Sequence, residues 1–128
     1  MKRMGLTAWA LLLYFDSAAG LGLGDLRVDS ALHDTLNARI DLVKVSPGDI
    51  DAISVRLADD EAFKSAGLER SYVLSQLRFE AVGTAENAGY IRVTSTERIR
   101  EPYLNFIIEV QWPNGKTMRE YTILLKTP

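Results

Sequence analysis

The sequence contains no cysteine and a single histidine, His33. Without cysteine the chain has no disulfide bond, no thiol nucleophile and no thiolate metal site. A catalytic triad would have to use His33 as its base, with Asp29 or Asp34 as the orienting acid, and no nucleophile-elbow pattern accompanies it. A solvated histidine in a turn is the favoured interpretation, so we expect no catalytic residue, no metal and no cofactor.

Strong net charge and long apolar runs are also missing. The 128 residues carry a net charge of −2, which supplies no field that would attract nucleic acid. The composition, 47% hydrophobic and 25% charged, is typical of a globular domain. A chain of this length is expected to form one domain with one core.

The N-terminus has the pattern of a secretory signal peptide. Lys2 and Arg3 precede an apolar run over residues 4–15, and small residues up to Ala19 offer a cleavage site. The run is shorter than the roughly 20 residues that a helix needs to cross a bilayer, although a retained anchor remains the alternative. We therefore predict a signal peptide over residues 1–19 and a mature domain over residues 20–128.

Residues 97–125 predict a β-hairpin. Two runs, 104–112 and 117–125, flank Pro113, Asn114 and Gly115, and the Asn-Gly pair favours a type I′ turn. Apolar residues alternate along the first run, namely Leu104, Phe106, Ile108, Val110 and Trp112. One face of the hairpin, including Trp112, is therefore expected to be buried under a second layer.

The preceding chain, residues 23–99, alternates in the same way over several short segments with short loops, and these segments are expected to form the second layer over the hairpin. Together they predict an all-β fold, a two-sheet immunoglobulin-like β-sandwich of about seven strands with one or two short helices. One helix is expected to begin at Ser46 and Pro47, and another after the acidic residues 59–61, with Gly67 past its end. The acidic triplet lacks the ligand spacing of a calcium loop, so capping is favoured over a metal site.

Two groups of residues stand out as a candidate partner surface. Arg92, Arg98 and Arg100 give a basic face suited to an anionic glycan or an acidic partner, unless acidic residues on neighbouring strands pair with them. Ile107 and Leu124 are apolar where their strands are otherwise polar, so each is either covered by a loop or part of a binding patch. We predict that the outer surface of the hairpin contacts a partner or a second copy.

Three blocks of sequence resemble the N-terminal periplasmic domain of the FimV family. They are GLGLGDLRVDSALHDTLNARIDL, SVRLADDEAFKSAGLERSYVLSQLRFE and IRVTSTERIREPYLNFIIEVQWPNGKTMREYTILL. Members of this family are inner-membrane proteins associated with type IV pilus assembly, twitching motility and organisation of the cell pole. They continue into a peptidoglycan-binding LysM domain, a transmembrane helix and an acidic cytoplasmic region, and the 128 residues show none of these parts.

The resemblance implies a noncatalytic periplasmic interaction or scaffold domain. Its expected partners are envelope or pilus-assembly proteins, or a second copy, with peptidoglycan bound only through a separate LysM domain and no nucleic acid. Two alternatives come from other classes of protein. One is an envelope enzyme acting on glycan or peptide, which requires converging acids or His33, and the other is a pilus-type chaperone, which requires an exposed strand edge.

Overall fold

The computed structural model describes residues 22–45, 48–84 and 88–127. Within them it has seven strands in two antiparallel sheets and few helices, which confirms the all-β sandwich. The strands are β1 (Gly22–Val28), β2 (Thr35–Val43), β3 (Ser54–Leu57), β4 (Leu77–Gly83), β5 (Gly89–Arg98), β6 (Tyr103–Trp112) and β7 (Gly115–Leu124). The predicted signal peptide and the predicted cap at Ser46 and Pro47 lie outside the described residues.

The strands form a four-stranded sheet in the order β1-β2-β5-β4 and a three-stranded sheet in the order β3-β6-β7. The sequence places every strand before the hairpin in the opposite layer, and for β3 this is wrong. β3 pairs with β6 from Ser54 opposite Gln111 to Leu57 opposite Ile108. The physical reason is that β6 is buried, so the backbone groups on both of its edges need partners, and β7 serves only one edge.

The core lies between the two sheets and is built from the alternating residues of the central strands. Ile40 of β2, Ile91 and Val93 of β5, and Phe106 and Ile108 of β6 are fully buried. The ring of Phe106 lies 6.2 Å from that of Phe79 on the opposite sheet and 6.4 Å from that of Tyr121. Trp112, expected to be buried, is only partly so, because it lies at the turn end of the hairpin.

The hairpin turn is not of type I′. Trp112 pairs with Gly115, so Pro113 and Asn114 form the two-residue loop. A type I′ turn needs positive φ at both central residues, and neither Pro113 nor Asn114 has it. The predicted central pair, Asn114 and Gly115, is also wrong, because Gly115 belongs to β7. Pro113 explains the difference, since its ring fixes φ near −65° at the first turn position.

Short helical segments connect the two sheets. Helix α1 (Asp60–Ser65) is capped by Asp59, whose Oδ1 accepts a 2.9 Å hydrogen bond from the amide of Ala62, and Gly67 follows it with a φ of 74°. The predicted capping role of the acidic residues is thereby confirmed. Two 3-10 helices, Ile50–Ala52 and Tyr72–Gln76, complete the set.

One side of the sandwich is closed by contacts between β7 and β1. β1 has a bulge between Leu23 and Leu26, and there the hydroxyl of Tyr121 donates to the carbonyl of Gly24 at 2.8 Å. Arg119 donates to the carbonyl of Leu23 at 2.7 Å. Burial raises the pKa of the Tyr121 phenol, and the charge of Arg119 opposes that shift.

Candidate functional site

The structure separates the five residues predicted to form a partner surface. Arg92 lies on the outer face of the four-stranded sheet, whereas Ile107 and Leu124 belong to the outward positions of the three-stranded sheet. Arg98 and Arg100 are exposed at the end of β5 and just beyond it. The five residues therefore do not form one surface.

Ile107 is covered within the domain. Its side chain is only 6% exposed although its neighbours in the outward row are polar, and it belongs to the hydrophobic core cluster. The chain after β3 passes over this part of β6, since the amide of Ala58 donates to the carbonyl of Ile107 at 2.9 Å and α1 contacts β6. Of the two interpretations of Ile107, coverage by a neighbouring segment is the one observed.

Arg92 is engaged by groups on its own sheet. Its guanidinium lies 3.7 Å from Glu80 on β4 and donates to the hydroxyl of Tyr90 at 2.9 Å. The cross-strand acid pairing considered from the sequence is therefore present for Arg92. Its side chain remains 45% exposed, so the guanidinium is still accessible to solvent.

Leu124 lies in an exposed apolar pair. It is directly opposite Tyr103 in the register of β6 and β7, and the two side chains are 64% and 56% exposed. Directly opposed side chains of an antiparallel pair are in contact range, so the two form one apolar spot on the outer face. Exposed pairs of this kind mark binding surfaces more often than isolated apolar residues do.

Two depressions connect this pair to the arginines. One, of about 300 Å³, is lined by Tyr103, Leu68, Ser71 and Glu101, and the other, of about 400 Å³, is lined by Ser71, Glu101, Tyr72, Arg98 and Arg100. Because the depressions share Ser71 and Glu101, the surface is continuous. We call this the tyrosine–arginine surface and define it by Tyr72, Arg98, Arg100, Tyr103 and Leu124.

Sequence reasoning missed the two tyrosines. Tyr72 is 81% exposed, the highest value among the large apolar side chains of the described residues. For Tyr103 a signal exists, because it shares the odd-numbered, outward positions of β6 with Asn105 and Glu109. For Tyr72 there is none, since its exposure depends on how the 3-10 helix Tyr72–Gln76 packs beside β5.

Of the residues weighed for catalysis, His33 and Asp34 lie in an exposed turn. His33 is exposed in a turn with a φ of 77°, and Asp34 accepts a hydrogen bond from the amide of Ala31 in the same turn. Glu109 is buried between Arg56, at 3.1 Å, and Lys116, at 3.9 Å. Within residues 22–45, 48–84 and 88–127, no group of three or more histidines and acids is placed to hold a metal ion.

No helix in the described part of the chain is long and apolar enough to span a membrane. Apart from Ile107, the candidate residues lie on the surface of the sandwich, and the core between the sheets is built from apolar side chains. The tyrosine–arginine surface combines exposed aromatic rings, an exposed leucine and two guanidinium groups. These groups can bury apolar area and form charge-assisted hydrogen bonds, the combination typical of a protein contact.

Comparison with known proteins identifies the family. A family model described as the FimV N-terminal Ig-like domain matches residues 21–128. The motility hub protein FimV of Pseudomonas aeruginosa, from strain PAO1 and from strain UCBPP-PA14, is 43% identical over 121 residues in each case. The match covers 94% of this chain and 13% of the relative, so the chain spans about one eighth of the relatives' length. No solved structure matches. The chain therefore belongs to the FimV family, to its N-terminal immunoglobulin-like domain.

Proposed function

We propose that this domain is a noncatalytic periplasmic interaction module of a FimV-type motility hub. Through it, the protein would take part in type IV pilus assembly, twitching motility and organisation of the cell pole. The relatives that it matches are named motility hub proteins, and a hub acts by binding other proteins. The partner is an envelope or pilus-assembly protein or a second copy, and peptidoglycan would be bound only by a separate LysM domain.

The tyrosine–arginine surface is the observation that carries this proposal. Tyrosine and arginine are enriched among the residues that dominate the binding energy of protein interfaces. Here two tyrosines that are more than half exposed line two adjoining depressions with two arginines, and Leu124 lies opposite one of these tyrosines, Tyr103, in the register of β6 and β7. A monomer gains nothing in stability from these exposed rings, whereas a partner that covers them removes apolar area from water.

The environment of the acidic residues supports a noncatalytic role. Asp59 caps α1, Asp41 pairs with Arg27 at 3.1 Å, and Glu109 lies between two cations on the three-stranded sheet. General acid–base catalysis requires a carboxyl whose proton affinity is adjusted and which faces a substrate. These three carboxylates instead face partners inside the domain, which explains their positions without a reaction.

The experiment is a motility assay with the full-length protein in the cells that produce it. Replacing Leu124 with Glu, or Tyr103 with Ala, is expected to weaken partner binding by about tenfold or more, since loss of a central interface residue costs about 2 kcal/mol. Surface motility should fall while the amount of protein stays the same. The matched control is Met118→Lys, which introduces a charge on the same strand at a residue that is 51% exposed and lies opposite Glu109, not Tyr103.

The control should leave motility unchanged. If Leu124→Glu and Tyr103→Ala cells moved as well as the parent at equal protein levels, the surface would not be where the hub binds. Equal losses in all three variants would indicate a general effect of surface change and would also contradict the proposal.

A further inference from the structure

Three arginines form a row across the outer face of the four-stranded sheet. The register places Arg27 of β1 opposite Arg39 of β2, and Arg39 opposite Arg92 of β5, with Glu80 of β4 next to Arg92. Adjacent strands are about 4.8 Å apart, so the backbones of the outer two arginines are separated by only about 10 Å. The row cannot be recognised in the sequence, because Arg27, Arg39 and Arg92 are far apart along the chain.

Like charges directly opposite each other destabilise a sheet. Two members of the row have acidic partners: Arg27 lies 3.1 Å from Asp41 and Arg92 lies 3.7 Å from Glu80. Arg39 is exposed, and no carboxylate of the described residues lies within 4 Å of it. The middle of the row is therefore an exposed cation between two cations, and a carboxylate from outside the domain would lower this repulsion.

The ring of Tyr90 holds two of these arginines in place. The guanidinium carbon of Arg39 lies 4.7 Å from the ring centroid, and that of Arg92 lies 5.8 Å from it. Arg92 also donates to the Tyr90 hydroxyl at 2.9 Å. Stacking on a shared ring restricts both side chains and leaves guanidinium donors free to bind a ligand, which lowers the entropy cost of binding.

The row borders an open depression of about 490 Å³. Its lining includes Asp29, Asn37, Arg39, Tyr90, Arg92 and Thr94. Beside it, the pairing of β2 with β5 shifts register between Thr35 and Asn37, and the hydroxyl of Ser95 accepts from the amide of Leu36 at 2.8 Å. Irregularities of this kind are common next to binding sites, because they end the regular ladder and change where side chains point.

We propose that this depression binds an acidic side chain of an extended peptide segment from a partner protein. The planar guanidinium groups of Arg39 and Arg92 are suited to bidentate hydrogen bonds with a carboxylate. The carboxylate of Asp29 and the amide of Asn37 line the same depression and suit the amide and carbonyl groups of a peptide backbone. Because Asp29 would repel a uniformly anionic polymer, a peptide fits this lining better than a sulfated glycan or a phosphate chain.

This site lies on the other sheet from the pair of Tyr103 and Leu124, and none of its lining residues belongs to the tyrosine–arginine surface. It is therefore independent of the proposed function, and either can fail without the other. The probe is a fluorescein-labelled peptide of ten residues with a single central Glu, and the same peptide with Gln in its place serves as the reference without that charge. Binding to the purified protein is followed by fluorescence anisotropy.

We expect the Glu peptide to bind and the Gln peptide not to, with affinity falling as salt is raised, because the contact is partly exposed and screened. Arg39→Gln should weaken binding by about tenfold or more, the loss typical of a charge-assisted contact. Arg39→Lys should restore only part of the affinity, since lysine keeps the charge and lacks the planar fork.

The matched control is Lys64→Gln, which removes one positive charge at an exposed position of α1, outside the depression, and should leave binding unchanged. Unfolding in urea separates lost binding from lost folding, because Arg39→Gln relieves like-charge repulsion and loses the stacking on Tyr90, and these opposite effects should leave its stability close to that of the parent. The proposal is overturned if Arg39→Gln and Lys64→Gln lower affinity equally, or if the Glu peptide does not bind. It is also overturned if inorganic phosphate or a sulfated glycan displaces the peptide at comparable concentration.

Discussion

At the scale of single residues, Tyr121 connects the two sheets through one hydrogen bond, from its hydroxyl to the carbonyl of Gly24. Replacing Tyr121 with Phe keeps the ring and removes this bond. We expect the free energy of unfolding in urea at pH 7 to fall by about 1 kcal/mol. The control is Tyr72→Phe, which changes an exposed tyrosine and should have no effect.

The same residue predicts a dependence on pH. Because burial raises the folded-state pKa of Tyr121 above the ordinary value of about 10, the folded state holds the phenol proton more tightly than the unfolded state does. Its contribution to stability is present below pH 10 and is lost as the pH rises through the folded pKa. The difference in unfolding free energy between the parent and Tyr121→Phe should therefore shrink above pH 10. A difference that stays constant up to pH 11 would contradict this role.

Trp112 and Phe106 lie on the same inward row of β6 and differ in burial. Phe106 is fully buried between Phe79 and Tyr121, so Phe106→Ala should cost about 3–5 kcal/mol. Trp112 is partly buried beside Gly115, where a Cβ would come within 3.3 Å of the indole, and Trp112→Ala should cost clearly less than Phe106→Ala. Denaturant melts of the two variants test the order, and equal losses would mean that the indole is as buried as the phenyl ring.

At the scale of elements, α1 covers part of the three-stranded sheet, and its start depends on Asp59. Removing the cap with Asp59→Ala should lower the unfolding free energy by about 1 kcal/mol, because the amide of Ala62 loses its acceptor. Asp60→Ala is the control, since that side chain is 89% exposed and forms only a 3.5 Å pair with Arg70. If both variants lost the same amount, the effect would be one of charge near the helix start and not of capping.

The sequence predicts where the strands lie, but it does not predict which strands pair with each other. Alternation with period two depends on each strand alone, so the strands and the caps at Asp59 and Gly67 follow from local chemistry. The place of β3 beside β6 depends on which edge is left unpaired after the hairpin forms, which no local pattern contains. The predicted type I′ turn is wrong for a reason that the local sequence contains, because Pro113 cannot adopt positive φ at the first turn position.

The same distinction between the pattern of one strand and the pairing of several strands applies to the candidate sites. The exposure of Leu124 follows from its outward position, whereas the burial of Ile107 requires knowing that the segment after β3 lies over β6. Arg92 stands out in the sequence, but its significance beside Arg27 and Arg39 depends on the register across three strands. Sites made of residues from one strand can be predicted, and sites made across strands need the sheet.

At the scale of the whole molecule, the packed interior of the sandwich stabilises the fold, and the two surfaces proposed for contact lie on different faces. The four-stranded sheet has the arginine row on its outer face, and the tyrosine–arginine surface extends from the outer face of the three-stranded sheet to the end of β5. Because the two proposed contact surfaces are separate, the domain would be able to bind two partners at once. We propose that it binds a protein at the tyrosine–arginine surface.

Photo-crosslinking in living cells tests this claim most directly. A photoreactive amino acid is placed at position 103 or 124 of the full-length protein, and at position 118 as the control on the same outer face. We predict discrete light-dependent adducts at positions 103 and 124 and none at 118, and we predict that reversing the charge of Arg98 and Arg100 removes them. An adduct of twice the protein's own mass would identify a second copy as the partner. Adducts at position 118 alone, or at none of the three positions, would contradict the account.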